Sequence, residues 1–537
     1  MKSKLLYSIF YLLFFSHSQN LVGQTSKPNI LFIAVDDLKP IIGAYGNGMI
    51  KTPNIDRLAK RGTVFLNNYC QQAICGPTRA SIMTGMRPDF TKIWDLKAKI
   101  REVSPDIVTL PQYLISQGYS TQGIGKVFDS RNVDEQNDKL SWSVPYYKTD
   151  KKYYEPSLGE PASGRYQLAE TKAQIEKVIS ESIAKGMTKA EANAEANLKV
   201  RPTSECIDVP DNAYNDGANI LQSKDILKSL SQTGQPFFFA VGIAKPHLPF
   251  VAPKKYWELY KRAEMPLAPF QSQTTNPVSV AYHNAGEIRA YTDMPADMAV
   301  TSQKEFGYSI SAAKQQELVH AYYAAISYTD ALVGQLLNTL DTLGLSKNTI
   351  VVLWGDHGWH LGDHNLWCKH SNFEEATRAP LIISSPGINP NSTRSLTEHV
   401  DIFPTLCDLA GLPIPQQLQG KSLKPVMKDP TLAVKKYATS QYPRSGISEE
   451  NGRSGFVEAS TMGYSIRDGQ YRFTIWMKNG FRSTKKYFEK DEIGMELYDY
   501  IADPLETKNV ATEKKYASLS ARMRADLLAY FNSQEVR

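Results

Sequence analysis

The sequence predicts an α/β protein whose centre is a large, mostly parallel sheet covered by helices. Three continuous apolar runs support this prediction, at residues 30–35, 237–244 and 349–354. Continuous runs of this length, rather than alternating ones, are typical of strands that are buried on both faces. Helical patterns lie between the runs, at residues 53–61 and 315–343. Because strands alternate with helices along the chain, a doubly covered and largely parallel sheet is expected.

The first eighteen residues have the layout of a secretory signal peptide. Lys2 and Lys4 precede an apolar stretch at residues 5–15, and Ser16-His17-Ser18 offers a small-x-small cleavage pattern. A membrane anchor needs about 20 apolar residues, and this stretch is much shorter. We therefore expect residues 1–18 to be removed and the mature protein to be exported, either periplasmic or secreted. Loss of the two lysines would change the net charge from +6 to +4.

The composition excludes several classes of protein. Hydrophobic residues make up 42% of the 537-residue chain and charged residues 22%, so a globular core is expected rather than a disordered or collagen-like chain. The net charge of +6 is small and no basic run accompanies it, which gives no support to a nucleic-acid partner. The five cysteines are an odd number, so at least one thiol stays unpaired or is chemically altered.

The composition changes along the chain and suggests its organisation. We expect a main domain at residues 27–430 and a small C-terminal α+β subdomain at residues 431–537. An inserted polar lobe is expected at about 131–217, where residues 168–199 are helix-prone and polar, as on a solvated surface. Pro and Gln recur at residues 412–429, which favours a linker. The elements predicted in the subdomain are two strands and a helix, at 464–467, 471–476 and 513–531.

Charged and polar residues follow directly after the three apolar runs. The first run ends in Asp36-Asp37, the second in Lys245-Pro246-His247 and the third in Asp356-His357. In open α/β sheets ligands bind beyond the carboxyl ends of the strands. The sequence therefore predicts that these groups meet at one edge of the sheet and form a site.

The segment CGPTRASIMTG at residues 75–85 is a further candidate for chemistry. Pro77 fits the first turn of a helix, so Cys75 would lie at or just before a helix N-terminus. Free backbone N–H groups there favour a negative charge, and Arg79 would reach an anion bound beside Cys75. Three interpretations stay open at this point: a buried structural cysteine, a thiol nucleophile, or a modified cysteine.

The pattern Cys-x-Pro-Thr-Arg-x-x-x-x-Thr-Gly at residues 75–85 resembles the signature of the type I sulfatases. Other motifs agree in order, namely Asp36-Asp37, Gly125-Lys126, Lys245-Pro246-His247, Asp356-His357-Gly358 and Lys369. Longer stretches are similar to iduronate-2-sulfatase and its bacterial relatives, among them CIDVPDNAYND, FFFAVGIAKPHLPF and ELYDYIADPLETKN. The resemblance covers nearly the whole mature chain and is weakest across residues 129–199.

The resemblance implies an alkaline-phosphatase-like sandwich with a formylglycine-dependent active site. Cys75 would be converted to 3-oxoalanine (formylglycine) by a formylglycine-generating maturation enzyme, and the hydrated aldehyde would be the nucleophile. The family suggests calcium as the bound cation, because carboxylate oxygens suit it. A nitrogen ligand suits calcium less well, so His357 leaves room for another metal. The metal ligands that the resemblance implies are Asp36, Asp37, Cys75, Asp356 and His357.

The resemblance also implies which side chains act on the substrate. Arg79, Lys126 and Lys369 would hold the sulfate oxygens and the nucleophile as charge redistributes. His247 would bind the substrate beside them and protonate the leaving oxygen, because an unperturbed imidazole titrates near neutral pH.

One position departs from the iduronate-sulfatase pattern Gly-Lys-x-Phe-His. This chain reads Gly125-Lys126-Val127-Phe128-Asp129, so Asp replaces the histidine that usually helps to deprotonate the second hydroxyl. Asp129 would act as that catalytic base if partial burial raised the pKa of its carboxyl. The alternative is that Asp129 is only an ion-pair partner of Lys126.

These observations together predict an exported sulfatase that hydrolyses a sulfate ester of a carbohydrate. The substrate would be a polysaccharide or oligosaccharide such as ulvan or a glycosaminoglycan, an expectation that rests on analogy. The first alternative is a phosphatase or phosphodiesterase of the same superfamily, which would need Ser or Thr and a zinc pair. The second is a sugar-binding homologue without catalytic activity. Stable membrane insertion is not expected.

Overall fold

Two sheets of unequal size organise the chain. The computed structural model describes residues 27–283, 285–294, 310–444, 447–448, 455–456, 460–478, 481 and 489–534, so the predicted signal peptide lies outside the described residues. The strands are β1 (Asn29–Val35), β2 (Thr63–Tyr69), β3 (Ser120–Gly125), β4 (Ser204–Ile207), β5 (Phe237–Ile243), β6 (Phe250–Pro253), β7 (Thr349–Gly355), β8 (His360–Leu361), β9 (Trp367–Cys368), β10 (Leu381–Ser384), β11 (Asn391–Glu398), β12 (Ala438–Arg444), β13 (Ile447–Ser448), β14 (Gly455–Phe456), β15 (Thr461–Arg467), β16 (Tyr471–Lys478) and β17 (Glu492–Asp499).

Helices connect most of these strands. The α-helices are α1 (Pro53–Ala59), α2 (Cys75–Thr84), α3 (Pro88–Thr91), α4 (Ile100–Val103), α5 (Leu110–Ser116), α6 (Ala169–Ala184), α7 (Lys189–Lys199), α8 (Asn215–Ser231), α9 (Lys254–Trp257), α10 (Gly286–Arg289), α11 (Ala312–Thr342), α12 (Glu374–Thr377), α13 (Ile402–Leu409), α14 (Lys424–Lys428) and α15 (Ala517–Gln534). The two helical patterns that the sequence places beside the strands appear as α1 and α11.

The larger sheet has the strand order β11-β2-β10-β7-β1-β5-β3. Six of these strands are parallel, and β10 runs antiparallel to its neighbours β2 and β7. The prediction of a mostly parallel central sheet is therefore confirmed. The three predicted apolar runs form β5, β1 and β7, which are adjacent in the sheet. Their ends consequently reach the same edge.

Both faces of the larger sheet are buried, which explains why its central strands are continuously apolar. Along β1, Leu31 and Ile33 belong to one core, whereas Ile30 and Phe32 belong to another. Successive side chains of a strand point to opposite faces. The long helix α11 packs in the first core, and α2, α5 and α13 pack in the second. Helices therefore cover the sheet on both sides.

The polar segment predicted at residues 168–199 forms two helices rather than one. Helix α6 ends at Ala184, and the side chain of Thr188 caps α7 by accepting a hydrogen bond from the backbone N–H of Glu191. A small separate core beneath these helices includes Tyr166, Ile175 and Ala196. The remaining helical positions are mostly exposed, as the polar sequence predicts.

The segment at residues 412–429 is not the linker that its Pro and Gln residues suggest. Leu412, Leu418, Val426 and Met427 are buried in the same core as α2 and α13. The last part of the segment forms α14. Its apolar residues are spaced irregularly between polar ones, so their burial depends on contacts that sequence periodicity does not reveal.

The smaller sheet is antiparallel, with the order β12-β15-β16-β17. The two strands and the helix predicted for the C-terminal region appear as β15, β16 and α15. Its core contains Met462, Phe473, Leu497 and Leu527. This sheet contacts the larger part of the chain through ion pairs, among them Arg472 with Glu374.

All five cysteines are free, and four of them are buried. Of the helices in the described ranges, none combines the length and the apolar character that a bilayer-spanning segment requires.

Candidate active site

Three carboxylates meet where β1 and β7 end. The two strands pair in parallel, with Val35 opposite Gly355, so Asp36, Asp37 and Asp356 follow at the same edge. The backbone N–H of Asp37 donates to Asp356 Oδ1 at 2.9 Å. All three aspartates are fully buried. The predicted convergence of the strand ends is therefore present in the structure.

The backbone at Asp37 is held in an unusual conformation. Its φ of 59° lies in the left-handed region, which a residue other than glycine adopts at some cost. The hydroxyl of Tyr322 on α11 donates to the Asp37 carbonyl at 2.6 Å and accepts from the backbone N–H of Lys39 at 2.9 Å. These bonds anchor the turn that directs the Asp37 carboxylate into the site.

Cys75 is the first residue of α2 and lies beside these carboxylates. Its Sγ is 4.0 Å from Asp37 Oδ1 and 3.6 Å from His357 Nε2. The predicted position at a helix N-terminus is confirmed. Burial, followed by the charge of Asp36, raises the pKa of Cys75 well above its ordinary value. Without a bound cation, burial therefore disfavours the thiolate, which is the form in which a thiol acts as a nucleophile.

His357 directs a nitrogen lone pair at the same point. Its Nδ1 donates to the carbonyl of Gly358 at 2.9 Å, so in the neutral ring Nε2 carries the lone pair. Nε2 lies 3.4 Å from Asp37 Oδ1 and 3.6 Å from Asp356 Oδ2. A histidine that binds a metal through one ring nitrogen usually donates a hydrogen bond from the other, and this bond fixes the tautomer.

These donors fit a divalent cation. One ligand atom from each of Asp37, Cys75, Asp356 and His357 lies within 4.8 Å of the others, and Asp36 belongs to an overlapping group. Opposite ligands of a calcium ion, each at about 2.3–2.6 Å, are about 5 Å apart. We call the set of Asp36, Asp37, Cys75, Arg79, Lys126, Asp356, His357 and Lys369 the strand-end cluster.

Arg79 orders the carboxylates instead of facing the solvent. It is fully buried, with Nη2 2.8 Å from Asp36 Oδ1 and Nε 3.2 Å from Asp356 Oδ2. Burial alone would raise the pKa of Asp36, but Lys126 and Arg79 outweigh it and hold that pKa well below its usual range. The guanidinium of Arg79 is enclosed by protein groups in this structure, and its binding of the substrate stays a prediction.

Two lysines reach the carboxylates from other elements. Lys126 Nζ lies 2.5 Å from Asp36 Oδ2, and its side chain is 24% exposed. Lys369 Nζ lies 3.1 Å from both carboxylate oxygens of Asp37. Burial would lower the pKa of Lys369, but the charge of Asp37 outweighs it and raises that pKa. Both lysines are therefore cationic at the point where an anion would arrive.

His247 follows β5 and completes the predicted set. The Lys245–Pro246 and Leu248–Pro249 bonds on either side of it are both cis. Its Nδ1 donates to the carbonyl of Leu248 at 2.5 Å, which leaves Nε2 facing the site. Nε2 lies 3.7 Å from Asp37 Oδ2 and 3.3 Å from Glu287 Oε1.

Asp129 is close to the site but is not placed as a base. Its carboxylate accepts from Arg131 Nε at 2.8 Å and from Arg131 Nη2 at 2.7 Å. Burial would raise the pKa of Asp129, but the hydrogen bonds from Arg131 outweigh it and lower that pKa to about 2. The net shift is therefore downward, opposite to the rise on which the catalytic-base interpretation depended. An arginine two residues after the aspartate was the sequence signal for this ion pair.

Glu287 on α10 is a member of the site that the sequence did not indicate. Its Oε1 lies 2.9 Å from Lys369 Nζ, and its Oε2 lies 3.6 Å from His370 Nε2. It also faces His247 as described above. No strand end or motif precedes Glu287, so only the folded chain shows that its carboxylate lies between Lys369 and His247.

Two protein-family models match the chain. The model described as Sulfatase matches residues 28–412, and the model described as N-sulphoglucosamine sulphohydrolase, C-terminal, matches residues 362–533. The chain therefore belongs to the sulfatase family, and its reaction class is the hydrolysis of sulfuric esters.

The relatives support this assignment along the whole chain. The iduronate 2-sulfatase of Mus musculus is 33% identical over an alignment of 552 positions. The alignment covers 93% of this chain and 94% of that protein. A solved structure of a protein in complex with its substrate D-glucosamine-2-N,6-O-disulfate has a TM-score of 0.66 at 22% identity, covering 95% of this chain and 98% of that chain. The phosphonate monoester hydrolase of Agrobacterium radiobacter has the same TM-score and identity and covers 95% of this chain and 96% of its own. These two structural likenesses show the fold alone, and the expected alkaline-phosphatase-like architecture is confirmed.

Proposed function

We propose that this chain is an exported sulfatase that releases sulfate from a carbohydrate ester, with formylglycine at Cys75 and calcium as its cation. The observation that carries the proposal is the convergence of Asp37, Asp356, His357 and Cys75 on one point. The match to the sulfatase family supplies the reaction class. Hydrated formylglycine would supply a hydroxyl nucleophile, and the cation would neutralise charge on the sulfate and on that hydroxyl.

The side chains around this point can bind a sulfate ester. Lys126 directly follows β3 and Lys369 directly follows β9, and both direct their ammonium groups at the carboxylates of the strand-end cluster. Preorganised cations of this kind stabilise charge that develops on transferred oxygens, because a buried site gives water little opportunity to screen them. Arg79 forms ion pairs with Asp36 and Asp356 and so holds their carboxylates in place.

The charge balance of the strand-end cluster favours an anion once a cation is bound. The carboxylates of Asp36, Asp37 and Asp356 are matched by the cationic groups of Arg79, Lys126 and Lys369. Glu287, which is paired with Lys369, adds one negative charge, so a bound divalent cation would leave the site with one net positive charge. A sulfate monoester, which carries one negative charge, would be attracted by that charge.

His247 is placed to hold the proton that the leaving oxygen needs. The carbonyl of Leu248 fixes the ring through Nδ1, so a proton on Nε2 points into the site. Glu287 Oε1 lies 3.3 Å from Nε2, within reach of a proton carried there. Donation from Nε2 to the ester oxygen is general acid catalysis.

The substrate is proposed to be a sulfated carbohydrate of the ulvan or glycosaminoglycan kind. This part of the proposal is supported by the similarity to an iduronate 2-sulfatase. Export is supported by the signal-peptide pattern at residues 1–18. Maturation by a formylglycine-generating enzyme is part of the same proposal. Cell fractionation of the native host, with N-terminal sequencing of the recovered protein, tests export.

The proposed chemistry is tested by comparing esters and variants. Wild-type protein matured in a host with the maturation enzyme should release sulfate from 4-nitrophenyl sulfate faster than phosphate from 4-nitrophenyl phosphate. Cys75→Ala should reduce sulfate release to background, because it removes the precursor of the nucleophile. Cys407→Ala, which alters another buried cysteine within α13, is the matched control and should retain turnover.

Three results would contradict the proposal. Faster phosphate release would favour the phosphatase or phosphodiesterase alternative. A Cys75 peptide that stays an unmodified thiol in protein from the native host, together with sugar binding and no turnover, would favour the non-catalytic alternative. A Cys75→Ala variant that releases sulfate at the wild-type rate would contradict the proposed mechanism. Mass spectrometry detects the modification, because conversion exchanges sulfur for oxygen and removes two hydrogens.

A further inference from the structure

The turn that follows Lys126 is fixed against the beginning of α2. The side-chain amide of Asn132 donates to the carbonyls of Asp95 and Ala98 at 2.8 and 2.7 Å. Its side-chain oxygen occupies the space beside Gly76, where any Cβ would collide with it. Residues 129–132 are therefore immobilised next to the residue that follows Cys75.

Arg131 lies in this turn and is held by one edge of its guanidinium. Nε and Nη2 donate to the two oxygens of Asp129, and the Asp129 side chain is only 2% exposed. The Arg131 side chain is 51% exposed. Within the described part of the chain, Nη1 has no hydrogen-bond partner. A rigid guanidinium therefore presents free N–H donors to the solvent beside the site.

The guanidinium of Arg131 interacts electrostatically with the strand-end cluster. Asp129 is flanked by Arg131 and Lys126, and the charge of Lys126 contributes to lowering the pKa of Asp129. The hydrogen bonds to Asp129 raise the pKa of Arg131, and the charge of Asp36 adds to that effect. Arg131 is thus within electrostatic reach of the strand-end cluster. Lys126 is paired with Asp36, and Arg131 is paired with Asp129 through Nε and Nη2 only, so the remaining edge of the Arg131 guanidinium can bind an anion.

We propose that Arg131 is a specificity-determining residue that binds a second anionic group of the sulfated sugar, either a carboxylate or another sulfate. This inference rests on the proposed function. Planar guanidinium groups bind carboxylates and sulfates through paired N–H donors, and a guanidinium that is already fixed loses less freedom on binding. The buried Asp129 is then a positioning residue for Arg131.

The test compares esters that differ in their second anion. The probes are 4-nitrophenyl sulfate, a disaccharide carrying a 2-O-sulfated uronate, and D-glucosamine-2-N,6-O-disulfate. For Arg131→Ala, the ratio of kcat/KM for an anionic sugar to kcat/KM for the aryl sulfate should fall about tenfold or more, mainly through KM. Arg131→Lys should recover part of that ratio, because it keeps the charge without the planar donors. Arg61→Ala removes a half-exposed arginine that is paired with Asp341, and it should leave the ratio unchanged.

The outcomes separate this inference from the proposed function. A selective loss on the uronate assigns the carboxylate as ligand, and a selective loss on the disulfated sugar assigns the second sulfate. An equal fall on all esters, or no change on any, overturns the role of Arg131. If the wild-type protein cleaves only the aryl sulfate and neither sugar, the role of Arg131 is also overturned, but the sulfatase reaction is not. Wild-type release of sulfate from none of the three esters would contradict the proposed function and the inference that rests on it.

Discussion

Two regions that contain buried charged side chains differ in how those side chains are used. The strand-end cluster lies at the edge of the larger sheet. The other region, which we call the junction cluster, comprises Glu374, Arg467, Arg472, Tyr500 and Glu506 and joins the two sheets. In it, Arg472 Nη2 donates to Glu374 Oε2 at 2.6 Å, and Nε donates to the Tyr500 hydroxyl at 2.9 Å. Glu506 accepts from the backbone N–H of Glu374 at 3.1 Å.

The two regions differ in where their polar atoms point. In the junction cluster the polar groups form hydrogen bonds with one another across the segments that they join. They are therefore already paired within the protein. In the strand-end cluster the carboxylates and the Nε2 lone pair of His357 converge on one point. Lys126 and His247 are about one-quarter exposed there, at 24% and 23%. Buried charge alone is therefore poor evidence of a site, whereas convergent donors with access to solvent are strong evidence.

The largest expected effect tests the strand-end cluster. Asp37→Asn should reduce sulfate release by more than about a hundredfold, because it removes a charged ligand of the proposed cation. Dialysis of the wild type against EGTA should cause a similar loss that added calcium reverses. Activity is measured with 4-nitrophenyl sulfate, and reloading with magnesium or zinc tests the identity of the metal. Full activity after complete chelation would contradict a catalytic cation.

The opposite result is expected in the junction cluster. Arg472→Met should reduce the free energy of unfolding by about 3–5 kcal/mol, because it leaves buried carboxylates without their partner. The turnover rate of the folded fraction should stay within about twofold of the wild type. A twofold change in rate corresponds to about 0.4 kcal/mol in activation free energy. Denaturant unfolding and turnover are measured on the same preparation. Arg61→Met, in an exposed pair, should cost less than about 1 kcal/mol. A large loss of turnover without loss of stability would place Arg472 in the active machinery instead.

The junction cluster should also make stability depend on pH. Burial raises the pKa of Glu506 from its ordinary value near 4.5 to about 8, so the folded protein keeps a proton there that the unfolded chain releases. The contribution of Glu506 to stability is therefore full below about pH 4.5 and is lost as the pH rises through about 8. Since one pKa unit corresponds to about 1.4 kcal/mol, the loss should be on the order of a few kcal/mol. Glu506→Gln should flatten this part of a urea-unfolding profile, and an unchanged slope would contradict the shift.

The smallest effect is expected at Asp129. Asp129→Asn should reduce turnover of 4-nitrophenyl sulfate by less than about tenfold and should leave the shape of its pH–rate profile unchanged, because Arg131 already keeps this carboxyl ionised and engaged. The profile is measured from pH 5 to about 9. A loss above a hundredfold, with one limb of the profile removed, would restore the catalytic-base interpretation.

Several features were predictable because neighbouring residues carry the signal. Strands β1, β5 and β7 are buried on both faces, so their sequences are continuously apolar and are interrupted only where each strand ends. Asp36, Asp37, His247, Asp356 and His357 follow those ends directly. The position of Cys75 was readable from Pro77 and the motif that follows. In each case the local pattern and the parallel topology lead to the same site.

Other features depended on contacts between distant segments. The reversed direction of β10, the burial of residues 412–429 and the approach of Glu287 to Lys369 have no counterpart in the local pattern of the chain. Arg79 shows the same limit, since its motif predicted a position beside Cys75 but not the enclosure of its guanidinium. The amino-acid sequence by itself determined which strands are buried and which reactive groups stand at their ends. Only the tertiary structure decided how those groups pair, because a pKa and a hydrogen bond depend on every neighbour in space and not on the neighbours in the chain.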